Sequence, residues 1–497
     1  MYILQNGTIM IRTWTNMLEI KILTYLSVLF VAVVTLNSCS PDEDGTNVLY
    51  ITPDSLNFEA SGGSSEIHIA SNTSWSISVS AEWCMLSTWS SEGDATIDVT
   101  VLENDDSLSR SALVTLSTEE ITRELKIYQK GIKDTAANVP VFEYEIPPDE
   151  TDMRNLTSVE LSQLMGVGFN IGNTLDALGG ETAWGNPLIT QRLIDSVKAN
   201  GFNAIRLPVA WSKFSDESTF TIETSWLDRV EEVVNYILNN DMYVIVNIHW
   251  DGGWMQPTYE DEEYVNTRLA FMWQQIARHF RDFNDHLLFA GTNEVMVEGD
   301  YGSPTKEYYT VQNGFNQTFV TTVRKTGGRN AYRHLVVQGF NTNINYTVSY
   351  AETPEDVIED RLMMEVHYYD PYNFTLNENS NITQWGEIAT EPSLTETWAN
   401  ESYADSQFQK MKTNFVDKGY AVILGEYGVI SRYDVEHHAE YRRYYMEYIT
   451  RSIVEHGLVP FYWDNGYAGN HGFALFDRST GENVEPEIIE AITSALD

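Results

Sequence analysis

The chain changes its hydrophobic rhythm along its length. Between residues 48 and 131 the segments LYITPDSLNFEA, SEIHIAS, SWSISVS, ATIDVTVLEN, SALVTLST and RELKIYQKG alternate apolar and polar residues at period two, with Gly, Asn, Asp and Ser between them. A strand with one buried face has this pattern, so the stretch predicts a small antiparallel, immunoglobulin-like β-sandwich. From 147 to 497 short apolar runs take over: MGVGFNIG at 165–172, NAIRLPV at 203–209, MYVIVNIHW at 242–250, LLFAGTNE at 287–294, HLVVQGF at 334–340, RLMMEVHYY at 361–369, AVILGEYG at 421–428 and LVPFYWDNG at 458–466. Amphipathic stretches such as LITQRLIDSVKANG and SWLDRVEEVVNYILNND lie between them. Strands alternating with helices in this way predict an α/β fold, a (β/α)8 TIM barrel. Residues 132–146 read as the linker between the two units.

Ahead of the sandwich neither rhythm holds. Residues 22–36, ILTYLSVLFVAVVTL, are uncharged and mostly apolar, and Lys21 precedes them. The run is short for a bilayer span and fits a signal peptide over residues 1–39. Leu36-Asn37-Ser38-Cys39 resembles a bacterial lipobox, which makes Cys39 the expected lipidation site and 40–47 an acidic tether. A lipoprotein at the cell surface or in the periplasm, anchored to the outer membrane, is the expectation. Translation from Met17 gives a more ordinary signal. With Cys39 lipidated, the other cysteine, Cys84, has no partner and is expected to be a buried thiol.

Composition removes several classes of function. Acidic side chains number 72 against 30 basic ones, a net charge of −42, and such a surface repels nucleic acid. There is no HExxH and no C-x2-C spacing, and the adjacent His437-His438 read as a solvated pair. The GGSS at 62–65 reads as a turn, and no phosphate-binding lysine motif follows it. No metal and no cofactor are expected, and the chain is expected to be a monomer. The 13 Trp, 28 Tyr and 20 Phe suit a cleft that stacks on flat apolar ligand faces.

Polar residues gather at one end of the predicted strands. Arg206, His249, Asn293-Glu294, His367, Glu426 and Trp463 all fall at or near C-terminal strand ends, the active face of such a barrel. Glu294 follows LLFAGTN in the fourth apolar run and Glu426 follows AVILG in the seventh, so they face each other across the barrel mouth. Two carboxylates so placed can flank a glycosidic bond, one delivering a proton and the other stabilising or attacking the anomeric carbon, the alternative being that either belongs to an ion-pair network. Tyr369, Asn170, Asp176, Trp184, Trp250 and Trp254 are further candidates for lining the cleft, and Asp251 either binds a hydroxyl or braces the loop DGGW.

The segments GFNIGNTLD at 168–176, ETAWGNP at 181–187, IRLP at 205–208, NIHWD at 247–251, NE at 293–294, HYY at 367–369, GEYG at 425–428 and Trp463 together resemble glycoside hydrolase family 5. The wording is similar to its subfamily 4, the endo-β-1,4-glucanases and xyloglucanases. The sandwich, with SNTSW at 71–75, Trp83 and IYQKG at 127–131, resembles the BACON domain of Bacteroidota carbohydrate enzymes. Trp75, Trp83 and Trp89 there could stack on sugars, but at least two of them are expected to be core. The family resemblance implies a retaining, endo-acting hydrolase of β-1,4-glucan backbones such as soluble cellulose-type glucan, mixed-linkage glucan and xyloglucan. It makes Glu294 the general acid/base and Glu426 the nucleophile. Arg206 then keeps Glu426 ionised, burial and negative charge raise the pKa of Glu294, Asn293 bonds the sugar 2-hydroxyl, and Tyr369 bonds the nucleophile. His367 tunes the carboxylates, His249 lines the subsite and Trp463 forms a sugar platform. The family usually has proline after the acid/base, whereas Val295 follows here. A mannanase or xylanase on the same fold, or a non-catalytic glycan-binding protein, are the competing readings.

Overall fold

The computed structural model describes residues 47–496, apart from positions 54, 59, 105–109 and 130–141. The predicted signal peptide, Cys39, the acidic tether up to residue 46 and most of the predicted linker lie outside the described residues. The chain divides into two compact units, with the division after Val139. Among the described residues no helix is long and apolar enough to cross a membrane.

The first unit is a sandwich of nine strands: β1 (Leu49–Thr52), β2 (Ser55–Phe58), β3 (Gly63–Ser71), β4 (Ser74–Val79), β5 (Cys84–Leu86), β6 (Ser90–Glu92), β7 (Ala95–Val101), β8 (Arg110–Ser117) and β9 (Thr122–Gln129). One sheet runs β1-β3-β7-β5 and the other β2-β9-β8-β4-β6. The period-two alternation buries Ile67, Ile69, Ile97, Val99, Val114, Leu116, Leu125 and Ile127 between the sheets. The first segment, read as a single strand, is two. It changes sheets at Pro53, and its second half, β2, pairs with β9 in parallel, an exception to the expected antiparallel pattern. Trp75 is buried, Trp83 packs against the core under the Arg110 guanidinium, and Trp89 is exposed. Cys84 is a free, buried thiol, and burial pushes its pKa up to about 11.

The second unit is a closed barrel of eight parallel strands: β10 (Gly168–Ile171), β11 (Ala204–Leu207), β12 (Tyr243–Asn247), β13 (Leu287–Ala290), β14 (Leu335–Asn343), β15 (Leu362–Tyr368), β16 (Ala421–Tyr427) and β17 (Leu458–Asp464). Each falls in one of the apolar runs, except that β14 continues three residues beyond its run. Alternate residues face outward under the helices, as Ile205, Leu207, Val244 and Val246 do. The others face inward, where Ala204, Ile245, Leu288, Val336, Met363 and Ile423 form a small core closed by Leu161 and Met165. Leu161 belongs to the short helix α1 (Ser158–Ser162), started by a capping box between Thr157 and Glu160. The bottom of the barrel is therefore apolar, and the inward positions turn polar toward the strand ends. The last residues of the predicted linker belong to this unit: Glu145 takes hydrogen bonds from Arg278 and Arg281.

Candidate active site

The strand ends place one charged cluster at the mouth of the barrel. Arg206, inward on β11, is wholly buried. Its Nη1 donates to Glu426 Oε1 and to Asn170 Oδ1, each at 3.0 Å, and its Nη2 donates to Asn293 Oδ1 at 2.5 Å. A guanidinium only donates, so the Asn293 oxygen must face it. That turns the Asn293 amide NH2 away from the arginine and leaves it to donate to a ligand.

Glu294 and Glu426 meet over His367, which is inward on β15. His367 Nδ1 lies 2.6 Å from Glu294 Oε1 and 3.7 Å from Glu426 Oε2. One oxygen of each glutamate and a ring nitrogen of His367 all lie within 4.8 Å of one another. Inverting pairs stand roughly 6.5–9.5 Å apart to admit a water, and retaining pairs about 5–5.5 Å. The close approach fits the retaining class. Tyr369 donates its hydroxyl to Glu426 Oε2 at 3.3 Å.

The two carboxylates differ in exposure, and this reverses the order of proton affinity expected from the sequence. The Glu294 side chain is 43 % exposed and the Glu426 side chain 8 %. Burial pushes Glu426 up to about 7, against the opposing charges of His367 and Arg206. Burial acts the same way on Glu294, but the hydrogen bond and charge of His367, with Arg206 behind, hold it below the usual carboxylate range. His367 loses proton affinity to burial and regains more from Glu426, Glu294 and a third glutamate, reaching about 9.

That third glutamate, Glu365, was missed in the sequence. It is wholly buried, with Oε1 2.7 Å from Arg206 Nε and 3.3 Å from His367 Nε2. Gln338 Nε2 donates to its Oε2 at 2.6 Å. The available signal was period two: Glu365 stands two residues before His367, so both point into the barrel.

His249 and Trp463 form the opposite wall. Their rings stack at 5.7 Å and 9°. Asn247 accepts at Oδ1 from the Val209 N–H, so its amide NH2 faces His249 Nδ1, 3.2 Å away. Burial and the charges of Arg206 and His367 hold His249 neutral, so its proton sits on Nε2. Gly172 makes room for the Trp463 indole, since a Cβ there would lie 2.5 Å from the ring. A groove of about 390 Å³ runs from His249, Asn293 and Glu294 past Trp250 to Met296 and Tyr301, and a smaller one of about 140 Å³ opens between Glu294, Asn343 and Tyr369.

Other candidates take different places. Asn170 is buried beneath the cleft, where its NH2 donates to Gly425 O and its oxygen holds Arg206. Asp176 is buried and accepts the Asn173 and Thr174 N–H groups, bracing the first loop instead of lining the cleft. Asp251 is the brace of its own loop, accepting from Trp211 N, Ser212 N and Trp254 Nε1. That bond, and the Arg268 guanidinium over its ring, hold Trp254 in the packing and out of the cleft wall. Trp184 is exposed on the first loop and lines neither groove, whereas the exposed Trp250 lines the larger one. Val295 is buried in the packing under the helices, at the edge of the larger groove. His437 is exposed as expected, but His438 is buried against Phe374, so the two are not a solvated pair.

Residues 168–469 match the family model for cellulase (glycosyl hydrolase family 5), and 73–130 match that for BACON, a putative N-terminal binding domain. The chain is 40% identical over 480 residues to a xyloglucan-specific endo-β-1,4-glucanase of Bacteroides ovatus, covering 92% of this chain and 94% of that one. It is 41% identical over 368 residues to endoglucanase A of Paenibacillus barcinonensis, covering 69% and 92%. Among solved structures, the Bacteroides ovatus family 5 xyloglucanase in complex with a XXXG heptasaccharide superposes with a TM-score of 0.69 at 40% identity, over 90% of this chain and all of that one. A broad-specificity GH5-4 endoglucanase from Bacteroides salanitronis gives 0.65 at 37% identity, over 69% and 98%.

Proposed function

The chain belongs to glycosyl hydrolase family 5, and from that premise we propose that Glu426 is the nucleophile and Glu294 the general acid/base of a retaining, endo-acting hydrolase of β-1,4-glucan backbones. The observation that carries the assignment is the meeting of both carboxylates over His367, within 4.8 Å.

In the first step Glu426 attacks the anomeric carbon while Glu294 protonates the leaving oxygen, so the glycosidic C–O bond breaks as the C–O bond to Glu426 forms. In the second step Glu294 takes a proton from water, which displaces Glu426. Each step needs one proton on the Glu294–Glu426 pair or its release from it. Sugar bound over Glu294 takes the exposed face of that carboxylate out of water and raises its proton affinity. The single proton then belongs on Glu294, and Glu426 stays ionised beside Arg206 and Tyr369. Asn293 NH2 donates to the 2-hydroxyl, and Trp463 stacks under the sugar.

The specific substrate is proposed to be a subfamily 4 one, with xyloglucan tolerated beside unbranched and mixed-linkage glucan. The support is the 40% identity to the Bacteroides ovatus xyloglucanase across both units. The chain is further proposed to be a lipid-anchored monomer of the outer membrane, through Cys39, with the sandwich as a spacer.

The test of the roles is labelling. A 2-deoxy-2-fluoro-cellobioside with a good leaving group should attach covalently to Glu426, located by peptide mass spectrometry. Glu294→Ala should lose turnover on polymer yet recover it on an aryl cellobioside when azide is added. A label on any other residue removes the nucleophile assignment. Product analysis on xyloglucan, barley glucan, mannan and xylan tests the substrate.

A further inference from the structure

Glu365 is a carboxylate buried in the floor of the site, below the groups that reach the cleft. Its side chain has no exposure, and neither has that of Arg206, ion-paired with it at 2.7 Å. β16 makes room for it with Gly425, where a Cβ would lie 2.0 Å from Oε1. The fold therefore keeps a charged group at a position where an apolar residue would complete the strand.

Its effect runs through His367. The two ring nitrogens of His367 each face a carboxylate, Nδ1 toward Glu294 at 2.6 Å and Nε2 toward Glu365 at 3.3 Å. Ionised carboxylates only accept, so both nitrogens are satisfied together only in the imidazolium. The groups facing His367 are Glu294 from the loop after β13, Glu365 from its own strand and Glu426 from β16. Arg206 lies behind, ion-paired with both Glu365 and Glu426, and neutral His249 feels the His367 charge from just after β12. With Arg206 and His367 charged, three carboxylates face two cations. One proton on the Glu294–Glu426 pair brings the cluster to neutrality.

We infer that Glu365 is a positioning residue that keeps His367 protonated and so fixes at one the number of protons shared by Glu294 and Glu426. This rests on the roles proposed above for that pair. Without the Glu365 charge the cluster carries a surplus positive charge and releases its first proton more readily, whichever site loses it. Glutamine at 365 also sets an NH2 against a donor, either Arg206 Nε–H or the Gln338 NH2 whose oxygen is held by Thr292. Turned toward His367, that NH2 makes Nε2 an acceptor and the ring neutral.

The experiment combines kinetics with imidazole NMR. In the wild-type enzyme, ¹⁵N spectra should show His367 as an imidazolium at pH 7, its resonances assigned by their loss in His367→Asn. Glu365→Gln should lower the alkaline limb of the kcat/KM profile by about one pH unit and reduce kcat at least about tenfold. KM should stay within about threefold of wild type, because Glu365 does not reach the cleft. Glu365→Asp keeps the charge and should leave the alkaline limb in place even where kcat falls. The inference is overturned by a neutral His367 in the wild-type spectrum at pH 7, by an unmoved limb in Glu365→Gln, or by an equal shift in Glu365→Asp. The wild-type spectrum reads the charge of His367 whether or not the variants fold. Azide rescue of Glu294→Ala reports on the acid/base role independently.

Discussion

Gly425 has no side chain at the point where the Glu365 carboxylate sits, one residue before Glu426 on β16, and a Cβ there would lie 2.0 Å from Oε1. The strand that delivers one active-site carboxylate is thus shaped around another. Gly425→Ala must push Glu365 off Arg206 or bend β16. Overpacking of this kind costs about 1–3 kcal/mol. A fall in Tm is expected together with a drop in kcat, and an alanine variant with wild-type kcat would show that the site adapts without loss.

Trp463 is held on edge by Gly172 and faced by His249. Truncating it to alanine removes an aromatic platform worth about 0.5–1.5 kcal/mol to a stacked sugar, or up to roughly a tenfold loss in kcat/KM. Stability should change less than activity, because the indole is only partly buried. Steady-state kinetics on soluble glucan, with Tm as the companion measurement, checks both.

The charged cluster ties stability to pH. His367 is raised from 6.5 to about 9, so its contribution to stability is fully present below pH 6.5 and is lost as pH rises through about 9. Glu426, raised from 4.5 to about 7, is destabilising once both states are ionised, so its penalty grows between those values. Both groups make the native state bind more protons than the unfolded chain. Tm should fall from pH 5 to pH 9, and the fall should be smaller in His367→Asn. A wild-type Tm flat over that range contradicts the coupling.

Cys84 is buried in the sandwich and its thiol is pushed up to about 11 by burial. The thiolate is the reactive form. Iodoacetamide at pH 8 should therefore leave Cys84 unmodified in the native protein and alkylate it in denaturant. Mass spectrometry of the tryptic peptide reads the outcome, and rapid native labelling would mean that the sandwich opens readily.

The period-two stretch and the eight apolar runs mark both units, because a half-buried strand and a doubly buried strand leave different local patterns. The residues at the strand ends were legible for the same reason. Glu294, Glu426, His249 and Trp463 interrupt apolar runs where a barrel opens to solvent. Asp176 and Asp251 carried no such distinction, since a carboxylate that caps backbone N–H groups of a loop and one that binds a sugar look alike in a linear chain. The family motif spans both.

Glu365 shows where local pattern ends. Within RLMMEVHYY the nearest polar residue on its face is His367, two residues on, and nothing nearby in the chain points to the Arg206 cation that pairs with it. Its partners from other strands, Gln338 on β14 and Arg206 on β11, 159 residues away, meet it only when the sheet closes. The same closure sets which carboxylate keeps the proton, because exposure and distance to His367 differ between Glu294 and Glu426. Sequence by itself determined the eight barrel strands, their order and the polar residues at their ends, since those follow from side-chain period and polarity. The tertiary structure alone decided which charges face one another and how far from water they lie, because electrostatic energy depends on separation and burial in space, and neither is written along the chain.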